Sequence, residues 1–95
     1  MSKTLLEPRL RLSSTAYIMI TCEGGREEYV MSQLKPIEGI TEIQGIYGAY
    51  DIIIKIESPT VDSLRDAILL DVRKISGIRA TTTIVCELPK MLTLS

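Results

Sequence analysis

A short pattern occurs twice in this chain. Ile37-Glu38-Gly39-Ile40 returns as Ile75-Ser76-Gly77-Ile78 at an offset of 38 residues, and Ile18-Met19-Ile20 returns as Ile52-Ile53-Ile54 at an offset of 34. The repetition reduces the fold question to one strand–helix unit used two times. The difference between the offsets places four more residues, about one turn, in the second helix.

The elements fill in around the repeat. Thr15–Cys22 is rich in β-formers and reads as a strand, which Gly24-Gly25 breaks. A helix follows to about Lys35, with Val30, Leu34 and then Ile37 at helical spacing. Glu27 and Glu28 fall in its first turn, where the helix dipole favours acids. Pro36 and Gly39 end it. Ile40–Tyr47 and Tyr50–Glu57 are two further strands, joined by a link too short for anything but an antiparallel hairpin. Ser58 is expected to cap a second helix with Pro59 at its first position, and Thr60 is a competing cap. Val61, Leu64, Ile68, Val72 and Ile75 mark that helix's buried face, and Gly77 its C-terminal cap. Ile78–Cys86 is the fourth strand.

This order is βαββαβ, an α+β ferredoxin-like pattern. Right-handed crossovers make it one four-stranded antiparallel sheet of order 4-1-3-2 with both helices on one face. Residues 1–14 are expected to be an N-terminal arm, 15–86 the folded domain and 87–95 a C-terminal tail.

Separating the strand faces adds a second expectation. Ile18, Ile20 and Cys22, with Ile52, Ile54 and Ile56, form the helix-covered core, and the same alternation adds Ala80, Thr82, Ile84 and Cys86. The opposite face carries Tyr17, Met19, Thr21, Asp51, Ile53, Lys55, Glu57, Arg79, Thr81, Thr83 and Val85. Tyr17, Met19, Ile53 and Val85 would make an apolar patch in mid-sheet, and such a patch on a small domain implies a partner. A second copy packing sheet to sheet is the expected one.

Composition removes several function classes. The chain has 95 residues, enough for one core, and its eleven basic residues are scattered among twelve acids for a net charge of −1. An RNA-binding domain of this topology would show excess positive charge and several aromatics on its central strands. There is no histidine, and no acids cluster around a thiol, so no nucleophile–base pair is expected and the chain reads as a non-enzyme with no catalytic residues. Cys22 and Cys86 stand 64 positions apart with no CxxC pattern, so no metal and no cofactor are expected. They end antiparallel strands at opposite ends of the sheet, too far apart for a disulfide. No apolar run can span a membrane, and Glu7-Pro8 interrupts any leader-like stretch, so a cytoplasmic protein is expected.

The hairpin link, Gly45-Ile46-Tyr47-Gly48-Ala49-Tyr50-Asp51, carries the functional signal. Two glycines three apart allow a sharp turn and a close backbone approach. Asp51 opens the most apolar strand, and a carboxylate there must be solvated, paired or bound to a ligand.

Taken with Tyr17-Ile-Met-Ile, Pro36-Ile-Glu-Gly-Ile and Ile75-Ser-Gly-Ile-Arg-Ala-Thr-Thr-Thr-Ile-Val, this hairpin resembles the C-terminal effector domain of the Lrp/AsnC family. These are the feast/famine transcription regulators, and the module is also called the RAM domain. The resemblance runs from about Ala16 to Cys86. Only about fifteen residues precede the first strand, too few for the family's helix-turn-helix, so a stand-alone effector domain is expected.

The resemblance implies a homo-oligomer, a dimer or a ring of dimers, that binds a free amino acid between subunits. A full-length Lrp/AsnC regulator is a further expected partner; direct nucleic-acid binding and membrane association are not. The zwitterion's ammonium needs acceptors and its carboxylate needs donors. Asp51 would take the ammonium, amides around Gly45 and Gly48 the carboxylate, Thr81 and Thr83 would add hydroxyls, and Tyr47 and Tyr50 would wall the site. The rival reading is an assembly module that joins a regulator or an enzyme and binds no small ligand.

Overall fold

A computed structural model describes residues 14–86. Strand β1 is Ser14–Cys22, helix α1 Glu27–Leu34, β2 Ile40–Gly45 and β3 Ile52–Ser58. Helix α2, Val61–Asp66, runs straight into a π-helical segment, Ala67–Val72, and β4 is Ile78–Val85. The expected arm lies outside the described residues apart from Ser14, which belongs to β1; the expected tail lies outside them entirely.

The sheet order is β2-β3-β1-β4, all pairs antiparallel, which is the order expected from the repeat read from its other edge. Ala16, Ile18, Ile20, Ile52, Ile54 and Ile56 are buried on one face against Val30 and Leu34 of α1 and Leu64, Ile68 and Val72 of the second helical run. Fully burying each such side chain contributes about 1.5–3 kcal/mol.

The two copies of the repeated motif have the same geometry. In each, the second isoleucine's N–H donates to the carbonyl of the first, Ile40 to Ile37 at 3.3 Å and Ile78 to Ile75 at 3.4 Å. The glycines between them take almost the same φ, +99° at Gly39 and +98° at Gly77. That conformation turns a helix exit directly into a strand, and only glycine adopts it without strain.

Thr60, and not Ser58, caps α2. Its hydroxyl accepts from the Ser63 N–H at 3.0 Å while the Ser63 hydroxyl accepts from the Thr60 N–H at 3.3 Å, a reciprocal capping box. The helix then widens, with the Arg73 N–H donating to Ile68 C=O at 3.0 Å, five residues back. Leu64, Ile68 and Val72 recur every four residues, a spacing that drifts around a helix of 3.6 residues per turn. A stretch of wider turn keeps that stripe on the sheet. Val61, expected in the buried face, is 52% exposed, because this first-turn residue lines an open groove between the helix and edge strand β4.

The faces of β4 differ from the alternation. Cys22 pairs with Ile78 but Thr21 pairs with Ala80, so Arg79 is left without a partner in a β-bulge. The extra residue inverts the rest of the strand. Thr81 pairs with Ile20, Thr83 with Ile18 and Val85 with Ala16, all core-face residues of β1. Thr82 and Ile84 pair with Met19 and Tyr17 instead and lie on the open face. Among the described residues, no helix is long and apolar enough to cross a membrane.

Candidate functional site

The β2–β3 link is tied to the end of β1 through a single residue. The Asp51 N–H donates to Ile20 C=O at 2.8 Å and the Ile46 N–H donates to Asp51 C=O at 2.9 Å. The Asp51 side chain also takes part: its Oδ2 accepts from the Cys22 N–H at 2.8 Å. These bonds turn Asp51 away from the open sheet face where alternation along β3 had put it. The alternation ends because Asp51 precedes the strand proper, which begins at Ile52.

Asp51 lines a cleft of about 370 Å³ with Gly45, Ile46 and Tyr47 of the link and with Glu27 and Met31 of α1. Glu27 and Met31 were not anticipated as site residues. Their spacing, four apart on one helix face, was legible; that this face meets the hairpin link was not. The Tyr47 ring stands fully in solvent at the rim. Among the described residues, no hydrogen bond uses the amides of Tyr47, Gly48, Ala49 or Tyr50 as donors; of these four residues Tyr47 lines the cleft, together with the carboxylates of Asp51 and Glu27.

The other expected site residues lie elsewhere. The Tyr50 hydroxyl meets the Thr82 hydroxyl at 3.2 Å, so its ring crosses the open face over β1. Thr81 and Thr83 do not share a face with that ring, having been inverted by the bulge. Thr83 and Val85 line a separate groove beside α2 with Val61, Leu64 and Ile68. The apolar open face therefore consists of Tyr17, Met19 and Ile53 with Ile84 in the place expected for Val85. Ile84 is half exposed there.

Electrostatically the cleft is acidic. Burial pushes the Cys22 thiol above its ordinary value, and the carboxylates of Asp51 and Glu27 push it further the same way. The folded chain therefore holds this proton where the unfolded chain has released it. Stability should fall as pH rises from about 8.5, the unfolded thiol's range, towards the higher folded value. Melting temperatures at pH 8 and pH 9.5, compared between wild type and Cys22→Ala, should show a shallower fall in the variant. Both cysteines are free; Cys86 is exposed and donates its N–H to Thr15 C=O, at the end of β1 opposite Cys22.

The Lrp/AsnC ligand binding domain profile matches residues 15–91. The chain belongs to the Lrp/AsnC ligand binding domain family. An uncharacterised HTH-type transcriptional regulator of Pyrococcus furiosus is 26% identical over 80 residues, covering 81% of this chain and 53% of the regulator. This Lrp/AsnC domain thus spans about half the length of the curated regulators it matches. A crystal structure of a hypothetical protein from Pyrococcus horikoshii is 32% identical with a TM-score of 0.75, covering 81% of this chain and 93% of that one. The homocitrate synthase of Sulfolobus acidocaldarius is 30% identical over 80 residues, 83% of this chain but 17% of the enzyme. The Lrp/AsnC domain is a regulatory, effector-binding unit.

Proposed function

We propose that this Lrp/AsnC domain senses a free amino acid at the Asp51 cleft, assembles through its open sheet face, and passes the signal to a regulator or an enzyme. The observation that carries the reading is the cleft itself. In a ligand-binding domain, the carboxylates of Asp51 and Glu27 line the same small space as Tyr47, the first of four link residues whose backbone amides are uncommitted. Those are the two kinds of group a zwitterion requires. A Neisseria meningitidis transcriptional regulator of the same fold, 13% identical, is solved as an L-Met complex.

The test is a thermal-shift screen of the twenty amino acids. A ligand present at 100 times its Kd stabilises by ~2.7 kcal/mol, which in a domain of this size is a rise of about 10 °C or more. If no amino acid shifts the transition at millimolar concentration, the sensing reading falls and the assembly module is left. That alternative draws on one fact, the match to a small part of a much longer enzyme.

Assembly is proposed to bury Tyr17, Met19, Ile53 and Ile84 against the same residues of a second copy. Ile53 pairs with Met19 at the centre of this face. Replacing it by lysine would place an unpaired charge in the contact, and the loss should be at least about 100-fold in dimer affinity. Light scattering at micromolar concentration should give a dimer or larger for wild type and a monomer for Ile53→Lys. A wild-type monomer would refute the assembly.

A further inference from the structure

We infer that the Asp51 cleft selects an amino acid with a cationic side chain. This rests on the amino-acid reading above and narrows it to a ligand class. Two carboxylates, Glu27 and Asp51, line the cleft, and among the described residues no lysine or arginine does. They come from different elements, one from the first turn of α1 and one from the β2–β3 link. A neutral zwitterion carries a single ammonium. Once that group meets Asp51, Glu27 faces the ligand with nothing to pair. A diamino acid brings a second ammonium on a flexible aliphatic stem. Met31, one turn beyond Glu27 on the same helix face, supplies the apolar wall along which such a stem can lie.

Glu27 has an ordinary structural use as well, because an acid in the first turn of a helix is favoured by the dipole. Glu28 meets that need equally from the next position, yet it does not line the cleft. Both carboxylates also act on the same neighbour, since Asp51 and Glu27 together raise the Cys22 thiol. The two negative charges are thus close enough to be felt at one point, as they must be if one small ligand is to bridge them. Glu27 is only partly buried, so its contribution should sit at the lower end for a charge-assisted contact and weaken with salt.

The experiment is calorimetry on the full chain with L-lysine, L-ornithine and L-norleucine, the last matching lysine's carbon chain without its terminal ammonium. Lysine or ornithine should bind about 10-fold more tightly than norleucine. Glu27→Gln should cut the advantage to within about threefold, as should raising salt from 50 mM to 1 M. Two results overturn the inference. Norleucine or methionine binding as tightly as lysine would remove the cationic class and leave amino-acid sensing standing. A lysine preference unchanged in Glu27→Gln would remove Glu27 from the site. If none of the twenty amino acids binds, the parent reading fails, and this one fails with it.

Discussion

Asp51→Asn should weaken amino-acid binding by about 10- to 150-fold while leaving the fold almost as stable as wild type. The range follows from a charge-assisted hydrogen bond of ~1.5–3 kcal/mol between the ligand's ammonium and the carboxylate. The fold is spared because the structural duty of Asp51 needs no charge. Its Oδ2 accepts from the Cys22 N–H, and an asparagine carbonyl oxygen accepts the same bond. Asp51→Ala separates the two roles. It leaves the N–H of buried Cys22 without its acceptor, at a cost of ~1–3 kcal/mol, or roughly 5–20 °C in melting temperature. Calorimetry and thermal melts on both variants decide the matter. If asparagine destabilises as much as alanine, the carboxylate's charge holds the fold and not the ligand. If asparagine leaves binding unchanged, Asp51 is only the tie between the hairpin link and β1.

The second large effect concerns the repeated glycines, which look equivalent in the sequence but should not respond equally to mutation. Gly39→Ala should cost about 2–4 kcal/mol, adding strain at positive φ to a steric clash. A Cβ there would lie 2.8 Å from the carbonyl oxygen of Glu57. That oxygen belongs to the backbone and cannot swing away, since the Glu57 N–H is itself bonded to Gly39 C=O at 2.8 Å. Gly77→Ala meets the Cγ2 of Val30 at 3.1 Å and the Arg26 side chain at 3.2 Å. Side chains can give by a few tenths of an ångström, so the cost should fall to about 1–2 kcal/mol, most of it backbone strain. Urea unfolding of the two variants provides the comparison. Equal losses would show that the Glu57 carbonyl yields, and that φ alone sets the penalty.

Much of this domain is legible in its sequence. The repeat, the three-isoleucine stripe of β3 and the two Ile-x-Gly-Ile exits were enough to derive element order, sheet order and the helix-covered face of β1 and β3. Each of these rests on local periodicity or on a backbone conformation that one residue type alone tolerates. The same residues carried the resemblance to the Lrp/AsnC effector domain, and the match over residues 15–91 agrees with it.

The site was less legible, for reasons that can be located. The run Thr81-Thr82-Thr83 presents the same side chain to both faces, so no hydrophobic alternation signals its register. One unpaired residue at Arg79 was then enough to exchange Thr81, Thr83 and Val85 for Thr82 and Ile84. A bulge is a property of two strands in register, and neither strand encodes it alone. The cleft is likewise a meeting of distant segments. Sequence by itself determined that Asp51 is an acid needing a partner and that Glu27 and Met31 share a helix face. Only the tertiary structure decided that the face of α1 carrying them closes over the link carrying Asp51, because that depends on where the helix packs across the sheet.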